Sequence, residues 1–87
     1  MVGKKKKANI KLNRLKEILV KKNMTQVELA DRIGKKKNTI SRICTNSTQP
    51  SMKLLYEISF ALGVDAREIL VPNEEVSELF IKSKKEK

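Results

Sequence analysis

The sequence predicts a single all-α domain, and three observations lead to that prediction. The chain has 87 residues, the size of one domain. Aromatic residues make up only 3% of it, whereas Leu and Ile recur at helical spacing. The prolines and glycines fall in the N-terminal tail or at the apparent ends of elements, where they interrupt no helix. The core of so short a chain is modest, so well-packed helices or dimerisation must stabilise it.

The first expected elements are a basic arm over residues 1–9 and a helix from about Lys11 or Asn13 to Lys22. The lysines at residues 4–7 repel one another, so we expect a disordered arm that either is simply solvated or follows a phosphate backbone. In the first helix, Asn23 favours termination because Asn tolerates the left-handed conformation. The apolar stripe of this helix consists of Leu12, Leu15, Ile18 and Leu19.

Two short helices joined by a tight turn follow. Thr25 and Glu28 form a capping-box pattern at the start of the second helix, and Gly34 is placed to end it. Its apolar face is Val27, Leu29, Ala30 and Ile33. The third helix is expected from about Lys36 or Lys37 to Thr45.

The third helix has two chemically different faces. At about 100° per residue, one side is apolar and consists of Ile40, Ile43 and Cys44. The other side lacks carboxylates and carries Asn38, Ser41, Arg42 and Thr45, with Lys37 at its edge. Arg can bond guanine through two N–H groups, Asn can bond adenine in the same way, and Ser can bond either.

Three further helices are predicted. Ser51 should cap the fourth, which ends at Gly63 and has a broad apolar surface of Met52, Leu54, Leu55, Ile58, Phe60, Ala61 and Leu62. Asp65 and Glu68 form a second capping box for the fifth, which should finish with Ile69, Leu70 and Val71. A candidate short sixth helix starts at Asn73 or Glu74.

Charge and composition restrict the function. Net charge is +10, with 15 basic and 3 acidic residues in 1–56 (net +12) and 5 basic and 7 acidic residues in 57–87 (net −2). A basic half of this kind favours nucleic acid. A membrane surface is the alternative polyanion, but no segment has the length or amphipathic character to span or anchor in a bilayer.

The same composition makes an enzyme the least favoured class. Without His and with one Cys, the chain can build neither a Cys/His zinc site nor an internal disulfide. It shows no nucleophile–base pair, so we expect no cofactor, metal or catalytic residue. The basic start lacks an apolar signal core, and together with the lone cysteine it favours a cytoplasmic protein.

Residues 25–45, TQVELADRIGKKKNTISRICT, resemble the helix-turn-helix of the Cro/repressor (XRE) family. The positions where that motif has a small residue, a turn glycine and two core aliphatic residues hold Ala30, Gly34, Ile40 and Ile43. The resemblance extends from about residue 15 to 70. It implies a compact five-helix, lambda-repressor-like domain over residues 10–72, with residues 73–87 as a C-terminal helix or tail.

The resemblance also implies which residues meet DNA. Bases would be read by Lys37, Asn38, Ser41 and Arg42. Phosphates would be held by Gln26, Lys35, Lys36, Thr45 and Thr48. The alternatives are a solvated turn for the three lysines, an ordinary turn for Thr48 and a merely exposed first helical residue for Gln26.

The sequence departs from the family pattern at four positions. Leu19 and Cys44 stand where many members have an Arg–Glu ion pair, so we expect these two side chains to touch in the core. Lys36 stands where Ser or Thr usually caps the third helix, and a lysine cannot form that cap. Asn46 stands where Gly is usual, and Asn tolerates the left-handed conformation expected there.

The predicted function is therefore sequence-specific binding of double-stranded DNA by a transcriptional regulator. We expect a homodimer on a near-palindromic operator, with half-sites about 34–36 Å apart. Its candidate interface is Val76, Leu79 and Phe80, unless that face covers the core of its own chain. The alternatives are an antitoxin, with a toxin as partner, and a protein-interaction module on the same fold.

Overall fold

A computed structural model describes residues 10–76, and within them the fold is helical, as predicted. The helices are α1 (Leu15–Lys21), α2 (Gln26–Ile33), α3 (Lys37–Cys44), α4 (Met52–Leu62) and α5 (Ala66–Ile69). A further helical segment, α6, begins at residue 73 and is described as far as residue 76. The predicted basic arm, Leu79 and Phe80 lie outside the described residues.

The helix starts follow the predicted caps. At α2, the N–H of Glu28 donates to Thr25 Oγ1 (3.0 Å), and the N–H of Thr25 donates to Glu28 Oε1 (2.8 Å). Ser51 caps α4 and Asp65 caps α5 through their side-chain oxygens. These bonds satisfy N–H groups that have no partner within their own helix.

The helix ends use left-handed residues at the predicted places. Gly34 and Gly63 end α2 and α4, both with φ of 69°. Asn23 (φ 58°) follows α1, and Asn46 (φ 61°) follows α3. Asn is among the few side chains that tolerate this conformation, because its short polar group bonds locally.

One apolar core joins the helices. Helix α2 packs against α3 and α4, α4 also packs against α5, and α1 packs against α3. Burying each of the larger aliphatic side chains contributes about 1.5–3 kcal/mol before the entropy of ordering is counted. The core residues are Leu15, Ile18, Leu19, Leu29, Ala30, Ile40, Ile43, Cys44, Leu55, Ile58, Leu62 and Ile69.

The predicted ends of two helices are wrong, and one feature explains both. Residues 12–14 do not extend α1 but run antiparallel to residues 69–71, with Asn13 bridged to Leu70. The N–H of Arg14 donates to the Ile69 carbonyl (2.8 Å), and the N–H of Val71 donates to the carbonyl of residue 12 (3.0 Å). Because this pairing requires extended backbone, α1 starts at residue 15 and α5 ends at residue 69.

Three residues predicted on apolar core faces are exposed instead. They are Val27 (48% exposed), Met52 (70%) and Phe60 (83%). On α4, the side toward the core is filled by Leu55, Ile58 and Leu62, while Met52 and Phe60 are exposed to solvent. Since an α-helix buries only a stripe, the broad apolar surface predicted for α4 exceeds what its neighbours cover.

Candidate nucleic-acid interface

Helix α3 divides into a buried side and a solvent side, as the sequence predicted. Ile40, Ile43 and Cys44 are buried. Lys37 and Asn38, in the first turn, and Arg42, in the last, are exposed, and Ser41 is half-exposed. The core therefore fixes the rotation of α3 about its axis, so one polar face points outward.

Four side chains of that outward face have no partner within residues 10–76. Within residues 10–76, Lys37, Asn38, Ser41 and Arg42 form no side-chain hydrogen bond or ion pair with another described residue. The ion pairs in that range are Lys11–Glu17, Arg14–Glu75 and Asp65–Arg67. The donors of the α3 face are therefore available to a ligand.

The N-terminal end of α3 is strongly basic. Lys35, Lys36 and Lys37 are consecutive and exposed. Lys36 occupies the N-cap position with extended backbone (φ −80°, ψ 148°) and makes no side-chain cap, as predicted. No acidic residue lies in the first turn of α3. Three cations and the positive end of the helix dipole thus share one place, which favours an anion.

The other residues predicted to bind phosphate lie at the start of α2 and just after α3. Gln26 is the first residue of α2 and is half-buried. Thr48 is half-buried, and its N–H donates to the Arg42 carbonyl (3.3 Å). The hydroxyl of Thr45 bonds the same carbonyl (3.2 Å) and lies 2.8 Å from Ser47 Oγ. A phosphate contact by the Thr45 hydroxyl must therefore compete with these internal bonds.

A polar cluster that the sequence analysis missed holds the C-terminal end of α3. Asn46 Oδ1 accepts the N–H groups of Leu12 (2.8 Å) and Asn13 (3.0 Å), and it also accepts from Gln49 Nε2 (3.1 Å). Asn46 Nδ2 donates back to the Asn13 carbonyl (3.2 Å). The turn that follows α3 is thus bonded to the segment before α1.

Asn13 completes the cluster from the other side. Its side chain is buried, with Nδ2 donating to the Ile43 carbonyl (3.1 Å) and to Gln49 Oε1 (2.7 Å), and Oδ1 accepting the N–H of Leu15 (3.0 Å). The sequence offered one signal, an Asn two residues before the first apolar residue of a helix, which is where an Asx side chain bonds the backbone. Its partners across the fold gave no local signal.

Cys44 belongs to the core rather than to the outward face. It is 6% exposed and shares the buried cluster with Leu19, as expected from the apolar replacement of the family's ion pair. Burial raises the pKa of the Cys44 thiol, and the nearby charges of Lys16 and Glu17 have smaller, opposing effects. The thiol is therefore held in its neutral form.

The basic charge raised the alternative of a membrane as the polyanion. In the part of the chain that the structure describes, no helix has both the length and the apolar character needed to cross a bilayer.

Comparison with known proteins gives a consistent picture. A helix-turn-helix family model matches residues 15–69. The chain is 39% identical over 62 residues to an uncharacterized helix-turn-helix-type transcriptional regulator of Archaeoglobus fulgidus, covering 71% of this chain and 87% of that protein. It superimposes on the crystal structure of a candidate DNA-binding protein from Bacteroides fragilis with a TM-score of 0.68 at 43% identity, covering 69% of this chain and 97% of that one. A hypothetical transcription factor from Neisseria has the same fold, with a TM-score of 0.62 at 22% identity over 87% of this chain and 98% of that one.

Proposed function

Because the chain belongs to the helix-turn-helix family of the XRE type, we propose that it is a sequence-specific transcriptional regulator that inserts α3 into the major groove of double-stranded DNA. Its family and relatives make it a DNA-binding regulator rather than an enzyme. The observation that carries the sequence-specific part is the outward face of α3. Lys37, Asn38, Ser41 and Arg42 lie on it without carboxylates and without partners among residues 10–76.

In this proposal the outward face reads base edges. The planar guanidinium of Arg42 matches the two acceptors of guanine, and the Asn38 amide matches the donor and acceptor of adenine. Ser41 bonds either partner, and Lys37 reaches a base from the first turn. Each well-formed two-bond contact discriminates against the wrong base by about 1–3 kcal/mol.

The surrounding residues position the protein on the backbone. Lys35 and Lys36 are exposed cations next to the start of α3. Gln26 begins α2, where free N–H groups favour a phosphate. Thr45 and Thr48 flank the opposite end of α3 and would act there. Such contacts fix register and carry little sequence information of their own.

The proposal includes a homodimer on a near-palindromic operator, because a short reading helix covers few base pairs and a second copy doubles the site. The sequence predicted Val76, Leu79 and Phe80 as the interface. Val76 is only 8% exposed within the single chain. Leu79 and Phe80 lie outside the described residues, so that location remains a prediction.

Selection from a random duplex library at near-physiological salt tests the function. We expect an enriched inverted repeat with half-sites about one helical turn apart. Retention without enrichment, lost steeply as salt rises, would mean that only phosphates are bound and would refute sequence reading.

Two variants then separate the proposed roles on the selected site. Arg42→Ala should weaken cognate binding by about 1–3 kcal/mol and relax preference at one base pair. Lys36→Ala should weaken cognate and random DNA to a similar extent and reduce the salt dependence. Equal losses on both DNAs for Arg42→Ala would contradict its base-reading role.

A further inference from the structure

The outer side of α4 carries a continuous apolar stripe that the described residues, 10–76, leave uncovered. Met52, Tyr56 and Phe60 follow one another at i, i+4 and i+8 and are 70%, 51% and 83% exposed. Residues four apart lie one above the other on a helix, so these large side chains form one row. Single exposed apolar residues are normal, but a contiguous row of this size marks a surface that meets another molecule.

Two opposite charges lie on the same flank of this row. At about 100° per residue, Lys53 and Glu57 both lie to one side of Tyr56, whereas the buried Ser59 lies to the other. Neither Lys53 nor Glu57 takes part in an ion pair within residues 10–76. The α4 surface therefore combines an apolar row with one unpaired cation and one unpaired anion.

We propose that this α4 surface is where two copies of the chain meet, with the α4 helices antiparallel about a two-fold axis beside Tyr56. The axis places Met52 of each copy against Phe60 of the other and brings the two Tyr56 rings together. A two-fold interface must be complementary to itself, so residue i meets residue j and j meets i.

Lys53 and Glu57 make the α4 surface complementary to itself in charge. A two-fold axis perpendicular to two antiparallel helices keeps residues of the same flank on the same side. With a rise of about 1.5 Å per residue, Lys53 lies about 4.5 Å before Tyr56 along the axis, and Glu57 lies about 1.5 Å after it. In the partner these offsets reverse. Lys53 of one copy and Glu57 of the other are therefore separated by only about 3 Å along the helix axis.

The pairing forms twice, once on each side of the axis. A second copy therefore covers the apolar row and neutralises both charges without any other chemistry. A different protein partner would need the same pattern of its own. The inference rests on the proposed function in one respect, since it names a surface for the expected homodimer, in place of the interface at Val76, Leu79 and Phe80 that the sequence predicted.

Charge exchange between separate variants tests the proposal in the full-length chain. Lys53→Glu leaves two acids at the contact, and Glu57→Lys leaves two bases, so each variant should repel itself. We expect the dimer dissociation constant of each to rise at least about tenfold. In an equimolar mixture every contact is again an acid–base pair, so mixed dimers should form with about wild-type affinity.

A control variant and a parallel DNA-binding measurement separate the α4 proposal from the DNA-binding proposal. Lys22→Glu makes the same charge change on an exposed residue outside α4 and should leave association unchanged. Association is measured by analytical ultracentrifugation and mixed dimers by native mass spectrometry, with circular dichroism to confirm folding.

A monomeric wild type, single variants that associate like wild type, or a mixture no tighter than its components would each overturn the α4 proposal. Binding to a duplex with one half-site is measured in parallel. If both variants still bind this duplex, the DNA-binding proposal stands. If the wild type does not bind it, that proposal alone is refuted.

Discussion

Asn46→Gly is the substitution whose consequence the structure defines most sharply. Glycine adopts the φ of 61° at this position without strain, so the backbone turn after α3 survives. What disappears is the side chain whose Oδ1 accepts the N–H groups of Leu12 and Asn13 at 2.8 and 3.0 Å. The bond from Gln49 Nε2 (3.1 Å) and the bond to the Asn13 carbonyl (3.2 Å) are lost with it.

The size of the effect follows from the groups left unpaired. An unsatisfied buried N–H costs about 1–3 kcal/mol. Two such groups would cost about 2–6 kcal/mol. Asn13 is 1% exposed, whereas Leu12 is half-exposed and can recruit water, so we expect about 2–3 kcal/mol, the low end of that sum. Glycine adds about 0.4–1 kcal/mol through the entropy of the unfolded chain. The side-chain bonds to Gln49 and Asn13 contribute in the same direction.

A matched control isolates the cluster from the glycine effect. Asn23 has nearly the same backbone (φ 58°) at the end of α1, and its side chain forms no hydrogen bond within residues 10–76. In urea unfolding, we expect Asn46→Gly to be about 2–3 kcal/mol less stable than Asn23→Gly. In thermal unfolding, this difference corresponds to a Tm lower by on the order of 10–20 °C. Equal stability of the two variants would refute the view that Asn46 anchors α3 through its side chain.

Three further outcomes are expected. The backbone N–H and hydroxyl of Thr25 hold the pKa of Glu28 below its ordinary value, so its stabilisation is complete above that value and is lost on acidification. Stability should accordingly fall less for Glu28→Gln than for wild type between about pH 6 and pH 3 in acid titrations monitored by circular dichroism. Cys44 should react with a thiol reagent more slowly in native protein than in urea, and equal rates would contradict its burial. Lys36→Ser should cap α3 and raise the unfolding free energy by about 0.5–2 kcal/mol while weakening binding to all DNA, and an unchanged salt dependence would exclude Lys36 from phosphate contact.

The parts of the fold that local chemistry determines could be predicted from the sequence. The capping box of Thr25 and Glu28 and the left-handed turns at Gly34 and Asn46 each depend on residues within a few positions. The division of α3 into a buried and an outward face needed only the helical period. The prediction that Lys36 does not cap α3 followed from the same reasoning, because a lysine side chain has no acceptor.

The errors concern interactions between distant segments. Asn13 and Leu70 are far apart in the sequence, so the extended pairing that shortens α1 and α5 had no local signature. For the same reason the partners of Asn46 were not predicted, although its backbone conformation was. Phe60 was placed in the core because periodicity identifies an apolar residue but does not reveal how many neighbours surround a helix.

The structure separates the contacts that hold α3 from the side chains that we propose it presents to DNA. Arg42 illustrates this, since its carbonyl accepts the N–H of Ser47 (2.9 Å) and the hydroxyl of Thr45 (3.2 Å) while its side chain has no partner in residues 10–76. The backbone is fixed by the turn that Asn46 anchors, and the guanidinium remains free to bind. Arg42→Ala should therefore change unfolding free energy by less than about 0.5 kcal/mol although it alters base preference. A large loss of stability in that variant would show that the Arg42 side chain also holds the helix, and would refute this separation.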